Sequence, residues 1–381
     1  MTTAINATAV PLVDLQRQHA QLGNALEEAV AEVLHAGRYV GGEAVAGFER
    51  QLAAELGVAE CASCNSGTDA LYLALRALGI GSGDEVITTP FTFIATAEAI
   101  AAAGATPVFV DIEPGSFNLD LSQLEAAIGP RTRVVLPVHL FGQPVNMTRL
   151  LAIARAHRLY TIEDCAQAAG AQWQGYPVGS LGDVGCFSFF PTKNLGACGD
   201  GGAITTNDPA LAARFRQLAD HGREQGYYHT LTGTNSRLDT LQAAILQVKL
   251  PYLARWNQQR RELAAGYQRA LRSRSELGLP REPAGGRSVW NQYTVRVPGS
   301  DRRDRLRQAL HERGIGTAVY YPLPLHRQPA YAHLGYRPGQ LPAAERAARE
   351  VLSLPLFPGL TAQEQQHVAA CLHASWQALA A

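Results

Sequence analysis

Between residues 85 and 205 the chain alternates short, β-rich runs with helical stretches, and this alternation constrains the fold more than any other feature. The runs are Glu85–Thr89, Thr106–Val110, Arg133–Pro137, Tyr160–Glu163, Val184–Phe189 and Ala203–Thr205. Helical patterns cover Thr92–Ala103, Leu119–Ile128 and Met147–His157. Strands separated by helices build βαβ units, so an α/β protein is expected, with a mostly parallel sheet covered on both faces. Upstream, Leu22, Leu26, Val30, Val33 and Leu34 recur at helical steps within Leu15–Ala36, and Gly37 closes the pattern. A second helix is expected over Glu43–Leu56, ended by Gly57. The character shifts near Gly233. A long helical region, Leu238–Leu271, is interrupted at Pro251 and followed by an alternating strand at Asn291–Val297, a helix at Asp301–Arg313, a Pro-rich connection at Tyr320–Pro329 and two terminal helices. We divide the chain into a large domain, residues 1–245, and a smaller C-terminal α+β domain, residues 246–381. A ligand cleft is expected between them, at the carboxyl ends of the strands.

Charge narrows the partners. Thirty-three basic and 33 acidic residues cancel, which argues against nucleic acid or an anionic membrane as the main partner. No run approaches eighteen apolar residues, and Met-Thr-Thr-Ala-Ile-Asn lacks a basic stretch leading into an apolar core. A cytoplasmic protein is therefore expected. Cys61 and Cys64 form a C-x-x-C, yet the other four cysteines lack metal-site spacing, so buried small side chains are expected and no metal.

The chemistry gathers around Asp183–Gly202. Val184–Phe189 reads as a buried strand, Pro191 stops its pairing, and Lys193 stands at its exit. Only two lysines occur in the chain, Lys193 and Lys249; every other basic side chain at neutral pH is arginine. A desolvated ammonium can lose its proton and form an imine, whereas a guanidinium cannot. Asn65-Ser66-Gly67-Thr68-Asp69-Ala70 precedes a helical segment. It offers free backbone N–H groups to a phosphate, or else ordinary N-capping. Asp164, at the end of the apolar run through Ile162 and Glu163, needs a cationic partner if it is buried, or else caps the next helix. Phe91 and Phe93 follow a strand end, where an aromatic ring can lie flat on a planar ligand or simply fill the core.

A lysine for an imine, an acid for a ring nitrogen, an aromatic for stacking and a helix N-terminus for a phosphate are together the needs of pyridoxal 5′-phosphate. Four blocks in this order carry a resemblance: Gly67–Leu71, Glu163–Gln167, Ser188–Gly196 and Gly199–Gly202. The chain resembles the DegT/DnrJ/EryC1/StrS family of nucleotide-sugar aminotransferases over essentially its whole length. The resemblance implies the aminotransferase type I fold, with a mostly parallel seven-stranded sheet in the large domain, and a homodimer with shared active sites. By position, Lys193 would hold the cofactor and shuttle protons, and Asp164 would keep the pyridine nitrogen protonated. Gln167 would contact the ring hydroxyl and Phe93 would stack on the ring. Gly67, Thr68 and Ser188 would bind the phosphate, with Asn235 of the other subunit completing it. Lysine at position 193 excludes the family's dehydratase branch, where histidine stands.

The implied reaction is ping-pong transfer from L-glutamate to a nucleotide-linked keto-sugar. The Cys186–Gly202 block and Asn235-Ser236-Arg237-Leu238-Asp239 look most similar to the branch acting on UDP-2-acetamido-2-deoxy-3-keto-glucuronate, for surface polysaccharide. Arg237 would read the uronate carboxylate, or else pair with a nearby Asp or with glutamate alone. Tyr320, Tyr321 and His326 are expected on the sugar side, and Arg38 and Tyr39 near the nucleotide. His139 is expected to be a hydrogen-bonded core histidine, with support of the cofactor pocket as the other reading. The alternatives are a dTDP- or GDP-keto-hexose or an aminocyclitol ketone as acceptor, and a non-catalytic cofactor-binding regulator.

Overall fold

The computed structural model describes residues 9–299 and 301–380; the N-terminal residues on which the leader reading rests lie outside this range. Seven strands form the central sheet: β1 (Glu60–Cys64), β2 (Glu85–Thr88), β3 (Thr106–Phe109), β4 (Thr132–Leu136), β5 (Tyr160–Asp164), β6 (Val184–Ser188) and β7 (Gly202–Thr206). Their order is β1-β7-β6-β5-β4-β2-β3. Parallel pairing links β3, β2, β4, β5 and β6, while β7 is antiparallel to both β6 and β1. Six strands therefore point one way, as the βαβ reading requires.

Each face is covered by apolar helices. On one face α1 (Gly67–Ala77) buries Ala70, Leu71, Leu73, Ala74 and Leu75 against β-strand residues such as Val86, Leu136, Ile162 and Ile204. The opposite face packs Phe48, Leu52 and Leu56 of the preceding helix, Glu43–Leu56, against Phe187, Phe189 and Ala203. A third cluster lies apart and draws almost entirely on residues 263–376, with Tyr267, Tyr293, Leu306, Leu352 and Leu372 at its centre.

Two expectations need correction, and one strand was not foreseen. The first helix, Leu15–Ala36, is broken: Gly23 takes φ 58°, separating Leu15–His19 and a 3₁₀ turn from Ala25–Ala36. Leu119–Ile128 forms only a short 3₁₀ segment, Glu125–Ala127. There Asp120 Oδ1 accepts from the Ser122 backbone N–H at 2.9 Å and from its hydroxyl, a local turn that competes with helix. The C-x-x-C lies on edge strand β1, unread from sequence, and both thiols are free and buried. Cys64 donates to the Ser66 carbonyl, and burial raises the pKa of each thiol above its ordinary value.

The N-terminus of α1 is pressed against the ends of β6 and β7. A Cβ at Gly67 would lie 2.5 Å from the Ser188 Cβ, and one at Gly202 would collide with the Ser66 carbonyl. Glycine at both positions is therefore a packing requirement. Gly202→Ala is expected to lower stability by about 1–3 kcal/mol, the usual range for overpacking, read from the urea midpoint at unchanged m-value.

Candidate active site

The carboxyl ends of β5 and β6 and the N-terminus of α1 meet at one edge of the sheet. A cavity of about 550 Å³ opens there, within the range of small-molecule sites. Gly67, Thr68, Phe93, Asp164, Gln167, Ser188, Lys193, Tyr320 and Tyr321 all line it. Nine side chains or backbones expected from sequence are thus brought together from positions spread over 250 residues.

At the helix end, Ser66 is the N-cap: its Oγ accepts from the Asp69 N–H at 3.1 Å. The positive end of the α1 dipole lies at this helix end, where Gly67 and Thr68 line the cavity beside Ser188. The capping reading is thus seen directly, and it leaves the other N–H groups of the first turn without an intrahelical partner.

Asp164 closes the opposite end. Its side chain is buried; Oδ1 accepts from the Ala166 N–H at 3.1 Å and Oδ2 from the Thr96 hydroxyl at 2.9 Å. Burial raises its pKa, while those two bonds, Lys193 and His139 oppose the rise. Lys193 borders the cavity but is otherwise wrapped by protein, and desolvation pushes its ammonium down to about 8 against the pull of Asp164. An amine so tuned is uncharged in roughly a tenth of molecules at pH 7, far more than an ordinary lysine.

Gln167 is oriented by its neighbours. Its Oε1 accepts from the Phe141 N–H at 2.7 Å, which fixes the amide, and Nε2 donates to the Tyr321 hydroxyl at 3.3 Å. One Nε2 hydrogen remains for a ligand, so this side chain presents a donor to the cavity. Phe93 is 55% exposed at the cavity wall, its ring centroid 6.3 Å from that of Tyr321.

Five expected residues are not at this cavity. His326, expected on the sugar side, is buried instead, with Nε2 3.2 Å from Glu345 Oε1 and its ring near Tyr336; it braces the loop after Tyr321 and does not line this cavity. Arg237 is engaged by Asp220, Nη1 to Oδ1 at 3.2 Å, the pairing that was its other reading. Asn235, expected to act on the other subunit, is exposed and bridges Asp220 through the backbone. Arg38 and Tyr39 also lie off the cavity, the Tyr39 carbonyl accepting from Thr240 N–H.

Other residues at the site escaped the sequence reading. Thr92, Thr96, Asp200 and Gln292 line the cavity. Behind the Lys193 loop, Asn194 donates to Asn257 at 2.7 Å and accepts from Asn291 at 2.7 Å. Lys249 is buried with Nζ 2.8 Å from the Gly196 carbonyl, so the second lysine serves the loop of the first. His139 is the expected core histidine. Its Nδ1 accepts from the Val145 N–H, which puts the proton on Nε2, 3.0 Å from Glu163 Oε2. Glu163 also accepts from the Leu181 and Gly182 N–H groups, and Cys165 lies within reach of this pair. With the ring and the carboxylate both engaged in hydrogen bonds, the trio is a structural knot.

Comparison with known proteins agrees with this geometry. A family model, the DegT/DnrJ/EryC1/StrS aminotransferase family, matches residues 20–373. A "Pleiotropic regulatory protein" of Geobacillus stearothermophilus is 51% identical, covering 94% of this chain and 96% of its own. The UDP-N-acetyl-3-dehydro-α-D-glucosamine 3-aminotransferase of Acidithiobacillus ferrooxidans is 47% identical over 95% and 96%. The crystal structure of DesV from Streptomyces venezuelae superposes with a TM-score of 0.93 at 46% identity, over 96% of this chain and 98% of that one. Further relatives are named as a dTDP-3-amino-3,4,6-trideoxy-α-D-glucose transaminase, a UDP-2-acetamido-2-deoxy-3-oxo-D-glucuronate aminotransferase and a GDP-perosamine synthase, and a solved Bacillus subtilis relative carries bound cofactor PMP. The chain belongs to the DegT/DnrJ/EryC1/StrS aminotransferase family and is a pyridoxal phosphate-dependent sugar aminotransferase with the type I fold.

Proposed function

We propose that this protein moves the amino group of L-glutamate to carbon 3 of a UDP-linked 2-acetamido-3-keto sugar, for surface polysaccharide, as a cytoplasmic homodimer. The observation that carries the reading is the convergence of a desolvated lysine, a buried carboxylate, an oriented amide donor and a helix N-terminus on one cavity. The cavity chemistry fits pyridoxal phosphate: a buried Asp164 lacks a full counter-charge of its own, and Gln167 has a spare donor. When bound, the cofactor supplies an electron sink for the carbanion formed at the substrate carbon.

In this reading Lys193 Nζ holds the cofactor and carries the proton at the substrate carbon. Asp164 keeps the ring nitrogen protonated, Gln167 Nε2 donates to the ring oxygen, and Phe93 covers the ring face. Gly67, Thr68 and Ser188 bind the phosphate, with Asn235 of a second copy completing the pocket. Tyr320 and Tyr321 form the sugar side. Exposed Leu34, Tyr39, Val40, Phe190, Tyr227 and Tyr228 support burial against that second copy. Among the described residues no helix is long and apolar enough to cross a membrane. The separate core over residues 263–376 supports treating 246–381 as a small domain beside 1–245.

For the acceptor, the uronate reading takes support from a Pseudomonas aeruginosa relative named as a UDP-2-acetamido-2-deoxy-3-oxo-D-glucuronate aminotransferase. A neutral carbon 6 is favoured by one observation, the engagement of Arg237 by Asp220. A panel of UDP-, dTDP- and GDP-linked 3-keto and 4-keto sugars, with carbon 6 neutral or carboxylate, tests both. Preferred turnover of the UDP-3-keto members is expected, and a preference for a 4-keto member overturns the position assigned.

The depressed amine gives a pH prediction. Only the neutral amine attacks an aldehyde, so the rate at which apoprotein takes up added cofactor should rise with pH and level off above about 8, followed by absorbance. Lys193→Ala should lower kcat by at least about 10²–10⁴-fold, the span of a lost general acid/base, with the fold intact by circular dichroism.

A further inference from the structure

Asp164 is served by a short line of hydroxyls. Thr96 lies in the first turn of α2 (Ala95–Ala102), Thr92 lies in the segment just before that helix, and both line the cavity. Their Oγ1 atoms are 3.1 Å apart, and Thr96 Oγ1 is 2.9 Å from Asp164 Oδ2. Both threonines are buried, 4% and 1% exposed. Helical threonine hydroxyls commonly bond the carbonyl one turn back; here the Thr96 hydroxyl turns to the carboxylate instead.

The proton order follows from donor counting. An ionised carboxylate only accepts, so the single Thr96 proton goes to Asp164, and the Thr92 proton then goes to Thr96. A buried carboxylate left without such bonds would take up a proton and become neutral. The titratable groups close enough to act on Asp164, or to feel its charge, are Lys193, His139, Tyr321, Cys165 and Cys186. None of these is hydrogen-bonded to the carboxylate, whose two oxygens are taken by Ala166 N–H and Thr96.

We propose that Thr92 and Thr96 are positioning residues: a directional hydroxyl chain, Thr92 to Thr96 to Asp164, that keeps the buried carboxylate ionised and aimed at the cofactor's ring nitrogen. The inference rests on the role given to Asp164 under Proposed function. The chain acts through Asp164, with no contact of its own to the ring required, and either hydroxyl can be removed with little change in volume.

The test uses loaded holoenzyme of wild type, Thr96→Val, Thr96→Ser, Thr92→Val and Asp164→Asn. The readouts are the pH at which the bound cofactor's visible absorbance changes and the two half-reaction rates. With Thr96→Val the ring nitrogen loses positive charge, so the pH of the spectral change should move up, by as much as about 1 unit. Both half-reactions should slow by about 10–100-fold, as for a lost hydrogen bond to a charged group. Thr96→Ser should keep the wild-type pH profile with rates within about threefold, since it loses only a methyl group. Thr92→Val should shift the profile in the same direction by less.

A Thr96→Val profile like the wild type's overturns the proposal, as does a Thr96→Ser variant as impaired as Thr96→Val, which would mean packing alone. If Thr96→Val does not fold, an unmoved Thr92→Val profile overturns it instead. Asp164→Asn separates the two levels. An unchanged spectrum in that variant sinks the role of Asp164 itself, whereas a changed one beside an unchanged Thr96→Val sinks only the hydroxyl chain.

Discussion

A carboxylate at the buried end of a parallel strand is costly unless its charge is shared, and the site is arranged around meeting that demand for Asp164. The strand places it where the sheet opens, and a backbone N–H and a threonine hydroxyl occupy its two oxygens. What remains faces a cavity that also holds Lys193. Burial moves the two groups in opposite senses, raising the acid's pKa and lowering the amine's, and their mutual attraction resists both shifts. In the proposed function this pair accepts a cationic ring, because a ligand that brings its own proton relieves the carboxylate more fully than a partly neutral lysine can.

Precision at this pair comes from networks on the far side of each strand. Next to Asp164 on β5, Glu163 points the other way and ties His139, Leu181 and Gly182 together. The segment that begins at His139 then supplies the Phe141 N–H that turns Gln167. On the next strand out, the loop carrying Lys193 has no regular structure of its own. Asn257 and Asn291, through Asn194, and Lys249 hold it, so its shape is imposed by residues 50 to 100 positions away. Holding reactive groups on loops braced by buried polar bonds keeps them placed without burying the loops' own backbone groups unpaired.

The sequence made a large part of this legible. Strand runs were short and apolar because they are buried on both faces, and helices between them could only make crossovers. Lys193 stood out by scarcity. Asp164, Gln167 and Ser188 stood out by strand-end position and by blocks that resemble one family. The misreadings share a cause. Leu119–Ile128 has helical spacing, yet a local aspartate turn takes its first backbone N–H groups. His326 and Arg237 carry groups suited to a substrate, and the structure engages them with Glu345 and Asp220, 17 to 19 residues away in sequence; for Arg237 that was one of the readings left open. Thr92 and Thr96 looked like ordinary helix-start residues, because nothing local reveals what a hydroxyl points at.

Local pattern, then, was enough to determine the α/β class and the strands whose ends border the cavity, and to single out a scarce lysine beside it, since periodicity, strand ends and residue type are properties of short stretches. Only the tertiary structure decided which polar groups face the cavity and which are spent on one another. That choice depends on through-space partners: Thr96 on Asp164, Lys249 on Gly196 and Asp220 on Arg237 all join positions that no short window of sequence contains.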